Sequence, residues 1–245
     1  MKTVLITSGG TIEPIDGVRG ITNFSSGKLG AIIADTLTNS KVFLIKGHKS
    51  IMPENLSKNI TVIETTDTNS VQEAIGEVMN NNNVDYFIHS MAISDYTVDK
   101  VVSVEELIDS IDEFSTYSKN DIINLIKNPP SITNRNKVSS TIKQPLIYLK
   151  QTPKIIATIK QKWPDVKLIG FKLLNNVSKE ELINVAKASL EKTNAEYIVA
   201  NDLKGISDTN HKAFLVSKDG ILVETQTKKE LAIYLKELIE NDGAK

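Results

Sequence analysis

The stretch Thr3-Val4-Leu5-Ile6-Thr7-Ser8-Gly9-Gly10-Thr11, followed after a loop by Asn23-Phe24-Ser25-Ser26-Gly27-Lys28-Leu29-Gly30, decides how this chain reads. The apolar, β-branched run predicts a buried strand, and Ser8-Gly9-Gly10 ends it in a turn. Beyond the loop, Leu29, Ile32, Ile33 and Leu37 recur at helical spacing. The expectation is a strand, a glycine turn, a long polar loop and a helix. A helix N-terminus carries unpaired N–H groups and the positive end of the dipole, and small residues let an anion approach them. The stretch therefore points to a nucleotide or phosphate site at the top of the first strand. Its structural alternative is a glycine turn with an ordinary helix cap from Ser25 or Ser26. Two familiar phosphate loops are excluded. Gly27-Lys28 is followed by Leu29 where Ser or Thr would hold magnesium, and the span from Gly9 to Gly27 is too long for a tight Gly-x-Gly-x-x-Gly turn.

Outward from this stretch, strand and helix patterns alternate. Strand-like runs fall at 3–7, 41–45, 61–64, 85–90, 146–150, 167–171, 197–200, 213–217 and 221–224. Helix-like runs fall at 28–38, 70–79, 153–162, 179–192 and 228–241. Strands separated by helices of this length predict a three-layer α/β/α, Rossmann-like fold with a mainly parallel sheet. Asp219-Gly220 between two apolar runs predicts a late antiparallel hairpin at the sheet edge. One α/β domain over 1–245 is expected, with an excursion at 101–140. That excursion holds helical patterns at 104–114 and 121–127, then Pro129-Pro130 and a polar run, and reads as a mobile surface segment.

Composition narrows the function. The 29 basic and 30 acidic residues nearly cancel, so no basic excess points to nucleic acid or an anionic membrane surface. Cysteine is absent, which removes disulfides, a thiol nucleophile and thiolate metal sites, and fits a cytoplasmic location. No apolar run is long enough to span a bilayer, and no leader pattern precedes the first strand. His48, His89 and His211 are too widely spaced for a zinc site. The metal expected is Mg²⁺ carried in by a substrate's phosphates, with no ligand set of the protein's own.

In open parallel sheets, ligands bind beyond the carboxyl ends of the strands. Polar or glycine clusters stand at several of those ends. Asp95, in Ser94-Asp95-Tyr96, can accept hydrogen bonds from an amide or hydroxyl, or simply cap a turn. Lys137, between Asn136 and Val138-Ser139-Ser140, can meet an anion or stay a solvated charge. Phe171 follows Gly170 at a strand end and can face a nucleobase or fill the core. Asn201 can donate to and accept from a base or ribose, or form an Asx turn. Tyr96 and Lys100 have the Tyr-x-x-x-Lys spacing of short-chain dehydrogenases, but the first loop lacks that family's cofactor glycines.

Taken in order, these motifs resemble those of the phosphopantothenate–cysteine ligases of coenzyme A biosynthesis, in their stand-alone bacterial form. The resemblance runs from Thr7 to about Asn201. It rests on Thr7-Ser8-Gly9-Gly10-Thr11, Pro14, Arg19, the 23–30 stretch, Ser94-Asp95-Tyr96, Lys137-Val138-Ser139-Ser140, Thr152-Pro153-Lys154-Ile155, Gly170-Phe171-Lys172 and Ala200-Asn201-Asp202. It implies a two-step reaction. A carboxylate of 4′-phosphopantothenate attacks the α-phosphorus of CTP, or of ATP, and releases pyrophosphate. The amine of cysteine then displaces the nucleoside monophosphate from the acyl-nucleotidylate.

The resemblance also assigns roles. Gly9, Ser25, Gly27 and Gly30 match nucleotide-phosphate positions, Phe171 and Asn201 match contacts to base and ribose, and Gly10, Ser26, Pro153 and Ile155 complete the nucleotide-binding set. Lys192, with Lys187 as the other candidate, matches a distal phosphate-binding lysine. Asn23, Met91, Ala92 and Asp95 match substrate contacts. Asn23, Arg19 and Lys137 are the catalytic candidates, Lys137 on a flap closing over the substrate. A homodimer is implied, with the hairpin near Gly220 as a candidate contact. Lys172-Leu173-Leu174 stands where bacterial bifunctional forms carry an acidic residue, which leaves the choice between CTP and ATP open. The alternatives are a dehydrogenase using Tyr96 and Lys100, and a non-catalytic nucleotide-binding module.

Overall fold

Residues 1–111, 116–129, 138–207 and 209–243 are described by a computed structural model. Along the chain run β1 (Lys2–Ser8), β2 (Ile12–Pro14), β3 (Gly20–Thr22), α1 (Lys28–Thr36), β4 (Ser40–Gly47), β5 (Ile60–Thr65) and α2 (Thr68–Asn81). Then come β6 (Tyr86–His89), β7 (Tyr96–Ser103), α3 (Val104–Asp109), α4 (Lys119–Lys127), β8 (Pro145–Gln151) and α5 (Ile155–Lys162). The chain continues through β9 (Lys167–Leu174), α6 (Lys179–Thr193), β10 (Tyr197–Ile206), β11 (His211–Ser217), β12 (Gly220–Thr225) and α7 (Lys228–Glu240). These elements divide between two compact units, one of Met1–Thr11, Asn23–Ile93 and Lys154–Lys245, the other of Ile12–Thr22 and Ser94–Pro153.

The larger unit is an eight-stranded sheet in the order β12-β11-β10-β9-β6-β1-β4-β5. From β5 to β10 every pairing is parallel, and β10–β11 and β11–β12 are antiparallel. The parallel part therefore reverses its winding between β1 and β6, the switch point where doubly wound sheets open a crevice for ligands. The late hairpin turns at Gly220, whose φ of 128° suits a residue without a side chain.

Alternation within each strand feeds two cores. Leu5, Phe87, Leu168, Ile198 and Phe214 join residues of α2, α5 and α6 on one face. Val4, Ile6, Ile88, Ile169, Val199 and Leu215 join Ile33 and Leu37 of α1 and Leu231 and Leu235 of α7 on the other. That is the three-layer arrangement expected for strands apolar on both sides. The helices are closed by local chemistry as well as packing. Asp67 and Ser70 form a reciprocal capping box on α2, and Ser178 and Thr227 cap α6 and α7.

The smaller unit departs from the expected picture. The run at 146–150, placed by its pattern among the strands of the main sheet, is β8, and it pairs antiparallel with β7 in a separate ribbon. The loop between the first strand and first helix contains a hairpin, β2–β3, with Ile12 opposite Thr22 and Pro14 opposite Gly20. The excursion thus starts at Ser94 rather than 101 and is organised around a ribbon. Its helices α3 and α4 carry Ser-headed capping boxes and bury none of their residues.

Candidate functional site

In the larger unit, the glycine stretch occupies the switch point. Gly10 bridges to Ala92 in parallel, the Thr11 amide donates to the Ala92 carbonyl at 3.3 Å, and the Ala92 amide donates to the Gly9 carbonyl at 2.8 Å. The ends of β1 and β6 are thereby zipped together beyond their strands. Asn23 reaches the same place, its Nδ2 donating to the Ile93 carbonyl at 3.2 Å. Gly9, Gly10, Asn23, Met91 and Ala92 are therefore brought together. The Met91 side chain points into the α2/α5/α6 core, so only its backbone faces the crevice.

The first turn of α1 lies over this crevice. Its N-cap is Gly27, at φ 73°, and no side chain caps it. The cap expected from Ser25 or Ser26 is not what the fold uses. Ser26 Oγ accepts from the Lys28 amide at 3.4 Å, while its carbonyl is held by the Ile51 amide at 2.9 Å. Two neighbours explain the glycines. Ser8 Oγ donates to the Gly27 carbonyl at 2.9 Å, and a Cβ on Gly30 would lie 2.5 Å from Ser8 Cβ. Small residues here let the helix end seat directly on β1, with its leading N–H groups at the carboxyl edge of the sheet. Ser50 and Gly47, at the end of β4, complete the support, and sequence reasoning missed both. Nothing local marks them, because their partners lie far away in the chain.

Beneath the crevice, His89 is hydrogen-bonded through Nδ1 to Thr7 Oγ1 at 2.8 Å. Burial holds its imidazole down, to about 4. Beside the crevice, the Lys46 ammonium, nearly inaccessible, pairs with Glu64 Oε2 at 2.8 Å, and His48 Nδ1 meets Glu64 Oε1 at 2.5 Å. The hydrogen bond from Lys46, and after it the one with His48, holds the Glu64 carboxyl below its usual range.

Register carries the site across the sheet. Thr7, His89, Gly170 and Ile198 lie at one level, so Gly10, Ala92 and the Leu173–Asn201 pair lie at a second level farther along. Phe171 packs with Leu29 and Ile32 against the α1/α7 face, and alternation puts Asn201 on the same face. β10 is three strand spacings from β1, about 14 Å, a span a nucleoside triphosphate can bridge. Ile155 opens α5 on the opposite face and is buried in its core. Lys192 is not brought to this edge. Because α6 links parallel neighbours it descends from the carboxyl edge to the amino edge, and its C-terminal end is fixed there by Glu196, whose carboxylate accepts from the Leu168 amide at 2.6 Å. Lys192, in the last turn, is about 20 Å from the top of the helix.

In the smaller unit, Arg19 is held by Asp16, with its side chain still half exposed. Its Nη2 and Nε donate to Asp16 Oδ2 at 2.5 and 3.0 Å, and Nη2 also donates to the Val138 carbonyl at 2.7 Å. The Val18 and Arg19 amides donate to Asp16 Oδ1, and the Val138 amide to Oδ2. The Arg19 guanidinium, followed by these amides, holds the Asp16 carboxyl far below the usual carboxylate range. The knot fixes the backbone immediately after position 137. Lys137 itself lies outside the described residues. Asp95, exposed at the head of β7, gives its backbone carbonyl to the Thr152 amide at 3.0 Å, next to Pro153. Tyr96 and Lys100 fall on the extended β7, about 13 Å apart along the strand. That spacing does not make the one-turn helical pair a dehydrogenase would need.

Among the described residues no group of three or more His, Asp or Glu is placed to hold a metal, and no helix is long and apolar enough to cross a membrane.

Comparison with known proteins places these features in a wider set. The model of the DNA/pantothenate metabolism flavoprotein C-terminal domain matches residues 1–128 and 129–241. A coenzyme A biosynthesis bifunctional protein CoaBC from Thermococcus kodakarensis is 33% identical over 245 residues, covering 98% of this chain and 51% of that protein. The chain thus spans about half the length of the curated relatives it matches. The crystal structure of the DNA/pantothenate metabolism flavoprotein from Streptococcus pneumoniae superposes with a TM-score of 0.82 at 38% identity, over 99% of this chain and 100% of that one. The C-terminal domain of a CoaBC protein superposes with a TM-score of 0.66 at 27% identity, over 98% of this chain and 94% of that one.

Proposed function

The chain belongs to the family of DNA/pantothenate metabolism flavoprotein C-terminal domains, and from that premise we propose that it is a phosphopantothenate–cysteine ligase. The observation that carries this reading is the meeting, at the switch point, of an uncapped helix N-terminus, Asn23 and the Gly10–Ala92 bridge. The first gives N–H donors for a polyphosphate. The second gives a neutral amide that can both donate and accept beside a reacting carboxyl.

In the reaction, the substrate carboxylate attacks the α-phosphorus of CTP, or alternatively of ATP, and pyrophosphate leaves. The α1 N–H groups oppose the charge that builds on the phosphoryl oxygens. Magnesium arrives as part of the nucleotide substrate, held by the phosphates. Gly9, Gly10, Ser25, Ser26, Gly27 and Gly30 line the phosphate path, Phe171 and Asn201 take the base and ribose, and Asn23, Met91, Ala92 and Asp95 take the pantothenate. Asn23 steadies the acyl-nucleotidylate until the cysteine amine attacks. Arg19 and Lys137 act on the second substrate and the acyl intermediate, as the resemblance implies. The assembly is a homodimer, with the turn at Gly220 and its exposed neighbours Ile221 and Leu222 as the contact.

The test is turnover. With phosphopantothenate, cysteine and magnesium, ³¹P NMR should show nucleoside monophosphate and pyrophosphate in step with the new amide. Nucleoside diphosphate and phosphate would replace this mechanism with an acyl-phosphate route, and no amide at all would end the ligase reading.

A further inference from the structure

His211 opens β11 and is buried, yet neither of its ring nitrogens has a hydrogen-bond partner among the described residues. A buried imidazole without partners is unfavourable, and native structures rarely keep one without a use. Alternation fixes where the ring points. Lys212 and Phe214 belong to the α6 side of the sheet, where the Lys212 ammonium lies 5.4 Å from the Phe214 ring centre. Ala213 and Leu215 belong to the α1/α7 side, and so His211 faces that side too. Asn201 is paired with Ala213, and β10 breaks its ladder between Asn201 and Ile206, with Ile206 opposite His211. Phe171, on β9, packs on the same face. Neighbouring strands thus place an aromatic ring, an amide and an imidazole on one face at the carboxyl edge.

We infer that His211 is a specificity-determining residue that hydrogen-bonds the base of the nucleoside triphosphate. This rests on the ligase reading above. The ring is suited to the task in its neutral form, which offers a base edge either an N–H donor or a bare nitrogen acceptor, to meet the ring nitrogen or the amino group of cytosine or adenine. Burial, and then the Lys228 charge, keep it neutral by lowering its pKa to about 4.

The test uses the whole chain with ¹⁵N-labelled histidine, and its three histidines give a spectrum that can be assigned. Saturating CTP or ATP should shift both His211 ring nitrogens, while inorganic triphosphate should leave them in place. His211→Leu should raise the KM for nucleotide tenfold or more, change the CTP-to-ATP ratio of kcat/KM at least fivefold, and leave the KM values for phosphopantothenate and cysteine within twofold. His211→Gln, which keeps a donor and an acceptor, should recover most of the loss. Unshifted His211 nitrogens in the nucleotide-saturated wild type overturn the inference, and so does a folded His211→Leu with unchanged nucleotide KM and ratio. Should His211→Leu fail to fold, the wild-type spectrum decides alone. A wild type that binds neither nucleotide removes the ligase reading itself, a result distinct from an active wild type whose His211 is indifferent.

Discussion

Replacing Gly30 by Ala puts two effects of opposite sign in competition. In an ordinary helix interior, Gly→Ala gains about 1 kcal/mol. At Gly30 the added Cβ would lie 2.5 Å from Ser8 Cβ and 3.3 Å from Ser90 Oγ, and would also overlap Ser8 Oγ. A rotamer change moves Ser8 Oγ but not its Cβ, so α1 must lift from β1 by about 1 Å to reach ordinary contact distance. Overpacking of that kind costs about 1–3 kcal/mol. Lifting α1 also strains the buried bond from Ser8 Oγ to the Gly27 carbonyl, worth about 1 kcal/mol. The net expectation is a loss of about 1–3 kcal/mol, or about 2–12 °C in Tm for a chain of this size, with a raised KM for nucleotide. Gly76 on α2 is the control, since nothing lies within 4 Å of its added Cβ. Gly76→Ala should gain about 1 kcal/mol. Urea unfolding of both variants provides the assay. A Gly30→Ala protein stabilised as much as Gly76→Ala would refute the claim that α1 is seated on β1 through its glycines.

Asn23→Asp places a carboxylate beside the phosphate path and removes the Nδ2 donor to Ile93; kcat/KM should fall a hundredfold or more with Tm moved by under about 2 °C, and a steady-state assay with near-normal turnover would remove Asn23 from the chemistry. Asp16→Asn removes the charge shared by Arg19 and the Val138 amide; both kcat and protease resistance near position 138 should drop, and a variant normal in both would make the knot ornamental. Stability should also depend on pH through His89. Its folded pKa, about 4, is below the usual 6.5, so the unfolded chain binds the proton more tightly; the stabilisation is complete above about 6.5 and is lost as pH falls toward 4, by about 3 kcal/mol. His89→Asn should flatten that part of the urea-midpoint profile, whereas an unchanged slope would mean that His89 protonates freely in the folded protein.

Much of the fold is legible in the sequence because its signals are local and periodic. The apolar runs near 3–7, 41–45 and 167–171 and the amphipathic runs between them carry their own evidence, and Asp219-Gly220 names its hairpin. Other features are decided elsewhere. The run at 146–150 looks like any half-buried strand, and only its partner Tyr96–Ser103, itself hidden behind a polar pattern, shows that it belongs to a separate ribbon. The β2–β3 hairpin is too short and too interrupted by Pro14 and Gly20 to announce itself. In the site, the glycines of 9–30 were readable as a close approach, but not that Ser8 and Ser50 are what they approach. Asp16 followed by Gly17 and Arg19 carries an Asx-turn signal in the sequence itself. Lys192 shows the limit of motif order alone, because a helix of that length carries its two ends to opposite edges of the sheet.

A crystal structure of the chain with CTP, or ATP, and phosphopantothenate would locate the polyphosphate directly. Phosphate oxygens within about 3 Å of the backbone N–H groups at the start of α1, with the base toward Phe171 and Asn201, are the predicted result. Phosphates bound instead around Lys192 at the amino edge, with the start of α1 untouched, would contradict the account.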